Sequence, residues 1–208
     1  MASRLVTSVT TVTDLRLAAS RGVRMLRNLA FDVRSGGLLR GRLTGSAHED
    51  ANDVVNSDVT ALERIFRERI SPGDVLVDVG CGKGRVLSWW ASRGGGNRII
   101  GLEISDDVAR ETRHRLRNHP NVVVIPGDAI EHLPADGTVF FLYNSFGERT
   151  VRAFSERAKE LLAARPRASV LYYNPVHADV FRADPAWKVE DVSIGGAGYH
   201  RLCVITLA

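Results

Sequence analysis

The stretch DVLVDVGCGKGRVL, residues 74–87, decides the fold of this chain. Its apolar run at 75–77 is typical of a strand that is buried on both faces. Glycines follow at alternate positions, Gly80, Gly82 and Gly84, and an apolar-rich helix is predicted behind them. A strand, a glycine turn and a helix opening direct backbone N–H groups and the positive end of a helix dipole at a ligand. The glycines also let the main chain approach that ligand closely.

The spacing of the glycines separates the possible ligand classes. A dinucleotide fingerprint, G-x-G-x-x-G, requires a third glycine where Arg85 stands, and Lys83 is not placed as in G-x-x-x-x-G-K-[ST]. The pattern that is present, D-x-G-x-G-x-G from Asp78, resembles motif I of the class I S-adenosylmethionine-dependent methyltransferases. A tight strand-to-helix turn without a ligand is the alternative interpretation of this stretch taken alone.

The rest of the chain alternates strands and helices, as doubly wound sheets do. Further strands are predicted at 98–104, 121–125, 139–143, 169–173, 187–194 and 202–207, and helices at 85–92, 106–118 and 148–164. The turn at 195–198 is too short for a helix, so the last two strands should form an antiparallel hairpin. We therefore expect an α/β, Rossmann-like doubly wound fold, with a mostly parallel seven-stranded sheet and one antiparallel strand near the C-terminus. The resemblance implies the same topology.

The chain divides into two predicted parts. Residues 57–208 form the class I methyltransferase domain, which opens with a helix that is capped at residue 57 or 58 and runs to about residue 69. Residues 1–56 form an N-terminal cap or arm that is partly helical and partly irregular. Apolar residues at roughly helical spacing over 14–31 predict one or two helices that dock on the main domain, and a disordered arm is the alternative.

Charge and composition limit the partners. The formal net charge is +4, and the first part of the chain is rich in arginine. This segment is able to contact nucleic acid or another anionic surface, but a solvated helix face is the alternative. No apolar run approaches the length of a membrane span, so no membrane partner is expected. With two cysteines, neither a disulfide framework nor a zinc site is indicated, and we expect a cytoplasmic protein without a bound metal.

Acidic residues stand at the predicted carboxyl ends of three successive strands: Asp78, Glu103 and Asp128. Ligands of open α/β sheets bind at that edge, and a carboxylate there can accept hydrogen bonds from both hydroxyls of a ribose. The resemblance implies S-adenosylmethionine as the cofactor, with Asp78 near its methionyl amino group, Glu103 at the ribose and Asp128 at the adenine. It also assigns residues of the turn and the strand ends to the cofactor: Gly80, Cys81, Gly82, Gly84, Ile104, Ala129 and Tyr143.

The fourth and fifth predicted strands end in residues that suit a methyl acceptor. NSFG, at 144–147, resembles the N-P-F-G sequence of small bacterial class I methyltransferases, but lacks its proline. The resemblance implies that Asn144 accepts a hydrogen bond from the target nitrogen and that Phe146 packs on the target. A helix cap is the alternative role of Asn144.

Three residues after the fifth strand are expected at the same edge, Tyr173, Asn174 and His177. Histidine is suited to removing a proton near neutral pH, so His177 is the candidate base, and an exposed loop histidine is the alternative. The resemblance thus implies methyl transfer to a nitrogen or oxygen, most simply of a small molecule. A protein or RNA methyltransferase and a catalytically inactive cofactor-binding protein are the alternatives.

Overall fold

The computed structural model describes residues 12–37, 39, 57–143, 146–165, 167–195 and 201–208, with side chains from residue 22 onward. Strands run over β1 Val75–Val79, β2 Arg98–Glu103, β3 Val122–Pro126, β4 Val139–Tyr143, β5 Ser169–Tyr173, β6 Trp187–Ser193 and β7 Arg201–Leu207. Helices run over α1 Val12–Arg34, α2 Val59–Phe66, α3 Arg85–Ser92, α4 Asp106–Arg115, α5 Glu148–Leu162 and α6 Asp179–Arg182.

The strands form one seven-stranded sheet in the order β3-β2-β1-β4-β5-β7-β6. Strands β1 to β5 pair in parallel, and β7 pairs antiparallel with both β5 and β6. The predicted fold class is therefore confirmed, including the antiparallel hairpin at the C-terminal end of the chain. The order reverses between β1 and β4, which is where sheets of this kind bind their ligands.

Alternate residues of each strand pack on opposite faces of the sheet, because side chains along a strand point up and down in turn. One face, which we call the α5 face, carries Val77, Phe140 and Tyr172 and packs against α5 and α6. The opposite face, the α3 face, carries Phe141 and Tyr173 and packs against α2, α3 and α4. Both faces are covered, which explains the continuous apolar runs of the central strands.

Helix α1 lies against the start of α2 and α3. The side-chain oxygen of Asn28 accepts a hydrogen bond from the backbone N–H of Val59 at 2.9 Å, and Asp32 is fully buried. The exposed side of the same helix carries Val23, Leu26 and Val33. One docked helix therefore accounts for residues 12–34, whereas the division of the chain at residue 56 stays a prediction.

Element ends differ from the prediction in a few places. Helix α2 is capped by Asp58, whose carboxylate accepts from the Thr60 N–H at 2.7 Å, but ends at Phe66 instead of near residue 69. Helix α4 ends at Arg115, three residues early, because Leu116 leaves the helical conformation. The single turn α6 was not predicted, since four residues are too few to show a helical period.

Candidate functional site

The glycine turn after β1 is held in a conformation that favours glycine. Gly80, Gly82 and Gly84 have φ angles of +81°, +50° and +70°. A Cβ atom on Gly84 would lie 2.6 Å from Cγ2 of Thr112, so this position also lacks the space for a side chain. The N–H groups of Gly80 and Cys81 both donate to the carbonyl of Leu102, at 2.9 and 2.8 Å, and tie the turn to β2.

Helix α3 begins at the end of this turn without a side-chain cap, since its N-terminal neighbour is Gly84. The first N–H groups of a helix have no partner within the helix, and the helix dipole makes that end attractive to an anion. Strand β1 and helix α3 thus present an anion-binding end at the sheet edge where the strand order reverses. The carboxylate of an amino-acid ligand fits this end.

Glu103 links the end of β2 to the glycine turn. One carboxylate oxygen accepts from the Gly82 N–H at 2.8 Å and the other from the Ser105 N–H at 3.0 Å. The side chain is buried, and burial raises its pKa while these backbone N–H groups lower it in part. A carboxylate offers about four acceptor sites, so it retains capacity for the hydroxyls of a ribose.

Asp78 lies at the end of β1 and is almost fully buried. Burial, followed by the negative charge of Glu103, raises the pKa of Asp78 to about 8. Burial and the same two carboxylates also raise the pKa of the Cys81 thiol well above its ordinary value. Two buried carboxyl groups beside a neutral thiol form a site that is better matched to a cationic ligand than to an anionic one at this point.

A pair of tyrosines continues the row along the sheet edge. Tyr143 and Tyr173 are paired in register on β4 and β5, and their ring centroids are 4.6 Å apart. Tyr143 and Tyr173 both belong to the α3 face. Glu103 lies on the same face of the sheet by the alternation of side chains along β2, because it is two residues beyond Gly101, which pairs with Asp78 of β1. Burial raises the pKa of each tyrosine, and the negative charge of Asp58 adds to the effect.

The other predicted cofactor residues follow β2 and β3. Ile104 is partly exposed, Asp128 is exposed and Ala129 is buried. A carboxylate oxygen of Asp128 accepts from the Ile130 N–H at 2.7 Å, which fixes the turn and leaves the rest of the carboxylate open to solvent. The Gly127 N–H donates to the Glu103 carbonyl at 2.9 Å, so these residues adjoin Glu103.

The predicted acceptor residues are divided between the two faces of the sheet. Tyr173 stands with Tyr143 on the α3 face, whereas Phe146 packs against the cluster on the α5 face. The backbone N–H of His177 donates to the hydroxyl of Tyr172 at 3.4 Å, and Tyr172 also belongs to the α5 face.

Asn174 and Asn144 complete the predicted set. Asn174 has a left-handed φ of +49° and donates its N–H to the Arg201 carbonyl at 2.9 Å. Asn144 lies outside the described residues, and the roles of all these side chains stay predictions.

Two buried residues that hold this site were not predicted. Arg85, the first residue of α3, donates to both carboxylate oxygens of Asp32, at 3.0 and 2.5 Å, and to the Ser57 carbonyl at 3.0 Å. The sequence does show an arginine at the start of an apolar helix, but it does not identify the partner, which is 53 positions away. Thr112 likewise donates its hydroxyl to the Gly82 carbonyl at 3.0 Å from α4.

Two absences apply to the parts of the chain that the structure describes. There, no group of three or more His, Cys, Asp or Glu side chains is placed to hold a metal ion. The sequence SAHEDAND, residues 46–53, also places a histidine beside carboxylates, and it lies outside those parts. No helix among the described residues is long and apolar enough to cross a bilayer. The predicted compartment stays a prediction.

The family described as a methyltransferase domain matches residues 76–169, which include the glycine turn and Glu103. This match supports the class I S-adenosylmethionine-dependent methyltransferase family, as the sequence predicts. S-adenosylmethionine is accordingly the cofactor, as the sequence predicts.

A curated relative, the "Probable cobalt-precorrin-6B C(15)-methyltransferase (decarboxylating)" of Archaeoglobus fulgidus, is 42% identical over 65 residues. That match covers 31% of this chain and 37% of the relative, so it spans little more than a third of the relative's length.

Solved structures share the fold at low identity. The mitomycin 7-O-methyltransferase MmcR has a TM-score of 0.60 at 19% identity, over 72% of this chain and 54% of MmcR. An RNA methyltransferase from Salinibacter ruber, in complex with S-adenosyl-L-homocysteine, has a TM-score of 0.56 at 22% identity, over 74% of this chain and 94% of that protein. Both support the class I methyltransferase fold.

Proposed function

We propose that this chain is an S-adenosylmethionine-dependent methyltransferase that transfers the methyl group to a nitrogen or oxygen of a small molecule. The observation that carries the proposal is the row of groups along one face of the sheet edge: the uncapped start of α3, Glu103, and the Tyr143–Tyr173 pair. Across the strands β2, β1, β4 and β5, the row provides a hydroxyl acceptor, then an anion-binding end, then an aromatic wall.

The residues present fit the cofactor. The start of α3 would hold the methionyl carboxylate, Asp78 the amino group and Glu103 the ribose hydroxyls, with Ile104, Asp128 and Ala129 around the adenine. The buried carboxyls of Asp78 and Glu103 suit the positive charges of this ligand. When bound, the cofactor supplies a methyl group on a positively charged sulfur, which is already activated for transfer.

The chain itself then has to position an acceptor and exclude water. Neighbouring strands are about 4.8 Å apart, so Tyr143 and Tyr173 stand one and two strands beyond the end of β1. Holding an acceptor atom about 3 Å from the methyl carbon and in line with the breaking bond supplies most of the catalysis that such a reaction requires. A pair of adjacent tyrosine rings suits a planar or aromatic acceptor.

Helix α1 favours a small acceptor over a macromolecule. Its Asn28 and Asp32 side chains fix it to the starts of α2 and α3. Nearer the start of the same helix, the positive charge of Arg24 lowers the pKa of Tyr173, which indicates that this part of α1 lies near the tyrosine pair. In the proposed function Asn144, Phe146 and Asn174 orient the acceptor, and His177 receives its proton where one must leave.

The cofactor assignment is tested by titrating S-adenosylhomocysteine into the Glu103→Gln variant by calorimetry. Loss of a charged acceptor for ribose hydroxyls should weaken binding at least about tenfold. Glu131→Gln is the matched control, because Glu131 is an exposed glutamate in the loop after β3. Unchanged affinity in Glu103→Gln, with the melting temperature retained, would show that the ribose is bound elsewhere.

An RNA acceptor is the second candidate, because α1 carries exposed arginines beside the site and an RNA methyltransferase shares the fold. A salt titration separates the candidates. Binding of a transfer RNA through several phosphates would weaken steeply with rising salt, whereas binding of an uncharged small acceptor would not. Tight, salt-sensitive RNA binding that Tyr173→Ala abolishes would replace the small-molecule proposal.

A further inference from the structure

A second cleft, of about 650 Å³, lies away from the sheet edge, between the end of α1, the side of α3 and the end of α4. Its size falls within the range of small-molecule sites, roughly 300–1,000 Å³. The proposed methyl transfer makes no use of it. Its lining includes Phe31, Arg34, Trp89, Arg93 and Arg115.

The polar groups of this cleft are predominantly cationic. Arg34, Arg93 and Arg115 line it, and none of its described lining residues is acidic. The acidic partners of Arg93 and Arg115 are not among the lining residues. Glu63 pairs with Arg93, whose guanidinium lies 4.3 Å from the Trp89 ring centroid, and the mostly exposed Glu111 lies 3.6 Å from Arg115. The cleft therefore has a surplus of positive charge and attracts an anion.

Arg115 carries a specific unfilled donor. Its side chain is only 10% exposed. Its Nη2 donates to the Lys83 carbonyl and, at 3.2 Å, to the Thr112 hydroxyl. Its Nε is buried and has no hydrogen-bond partner among the described residues. A buried donor without an acceptor is costly, more so on a charged group, so the guanidinium of Arg115 is not fully satisfied by its contacts within the described residues.

The remaining wall is apolar and aromatic. Phe31 from α1, Val59 from α2 and Leu116 after α4 face the same space. A phosphate group alone would fill a small part of it and leave this surface in water. A ligand that joins a phosphate to a planar ring system uses both the cations and the apolar wall, because Phe31 offers a stacking partner and Arg115 a charged donor.

We propose that this cleft binds a nucleoside monophosphate group, with the phosphate at the side chains of Arg34, Arg93 and Arg115 and the base against Phe31. The group is either a free nucleotide or a nucleotide within an RNA strand, and both present the same chemistry to the cleft. The proposal does not depend on the acceptor of the methyl transfer, since the cleft and the sheet edge share no lining residue that the proposed transfer uses.

The test uses guanosine monophosphate as the probe, titrated by calorimetry into the full chain saturated with S-adenosylhomocysteine, so that the cofactor edge is blocked. We expect saturable binding and at least about tenfold weaker binding of guanosine, which lacks the charged phosphate. Arg34→Glu should weaken the nucleotide by a similar factor. Arg27→Glu is the matched control, because it makes the same charge change on an exposed residue of α1 that does not line the cleft.

Each result of these titrations leads to a different conclusion about the cleft. A short 5′-phosphorylated oligoribonucleotide that displaces the probe and binds more tightly identifies RNA as the source, whereas a weaker one identifies the free nucleotide. No saturable binding in the millimolar range, equal losses in Arg34→Glu and Arg27→Glu, or displacement of the probe by further S-adenosylhomocysteine would each overturn the proposal. Unchanged S-adenosylhomocysteine affinity in Arg34→Glu shows that the variant is folded and that the cofactor site is separate.

Discussion

Asp32 of α1 and Arg85 of α3 form a buried ion pair in which two guanidinium nitrogens, Nε and Nη2, each donate to a different carboxylate oxygen, at 3.0 and 2.5 Å. The side chain of Asp32 is fully buried and that of Arg85 is 4% exposed. Arg85 is also the first residue after the glycine turn. The pair therefore connects the N-terminal helix directly to the helix that opens the cofactor site.

Removing one charge of this pair should destabilise the fold strongly. Asp32→Asn leaves a buried guanidinium without its counter-charge, and breaking such a pair costs about 3–5 kcal/mol. We expect that loss in the free energy of unfolding, measured by urea denaturation. The control is Asp107→Asn, which breaks the solvent-exposed pair of Asp107 with Arg110 and should change the stability by less than about 1 kcal/mol. Equal effects in the two variants would show that the buried pair contributes little.

Gly84 should tolerate no side chain, for two separable reasons. Alanine at φ +70° costs about 1–2 kcal/mol of backbone strain, and its Cβ would meet Thr112 Cγ2 at 2.6 Å. We therefore expect Gly84→Ala to lose more stability than Gly73→Ala, where φ is +88° and nothing lies within 4 Å of the added Cβ. Thermal or urea unfolding of both variants measures the difference.

The loss of stability that comes from the contact of the added Cβ with Thr112 can be tested separately. Thr112→Ser removes Cγ2 but keeps the hydroxyl that donates to the Gly82 carbonyl. In a double-mutant cycle, Thr112→Ser should recover the clash component of Gly84→Ala and leave the strain component in place. A double variant as unstable as the sum of the single variants would mean that the collision with Thr112 is not the cause.

The sequence was informative where the structure depends on local pattern. The glycine turn, the strand that precedes it and the acids at successive strand ends could all be predicted, because parallel strands bring their carboxyl ends to one edge. The alternation of side chains along β4 and β5 also places Tyr143 and Tyr173 on one face.

Long-range contacts could not be predicted in the same way. Nothing local indicates that Arg85 meets Asp32, or that Arg115 reaches the Lys83 carbonyl, since these contacts depend on how separate helices pack. The backbone contact of His177 with Tyr172, which follows the left-handed turn at Asn174, was not indicated by the local sequence either, and the role of His177 as a base stays a prediction.

Cofactor binding should release a proton near neutral pH, because of Asp78. Burial and the charge of Glu103 raise the pKa of Asp78 to about 8, so its carboxyl is largely protonated at pH 7 in the unliganded protein. A ligand ammonium group beside it favours the charged carboxylate and lowers that pKa again. Binding is then coupled to proton loss, and the affinity for S-adenosylhomocysteine should rise with pH up to about 8 and level off above it.

The stability of the unliganded fold depends on pH in the opposite direction from the ligand affinity. The folded-state pKa of Asp78 lies above the ordinary value of 3.8, so the unliganded fold binds a proton that the unfolded chain has released. This contribution to stability is complete below about pH 4 and is lost as the pH rises towards 8.

Calorimetry in two buffers of different ionisation enthalpy measures the released proton directly. Asp78→Asn, which has the same shape but no proton to lose, should remove both the buffer dependence and most of the rise in affinity. A wild-type protein that binds S-adenosylhomocysteine without proton release at pH 7 would show that Asp78 is already charged or does not adjoin the ligand. Proton release that persists in Asp78→Asn would assign the titration to another group, of which Glu103, with its pKa also raised by burial, is the nearest.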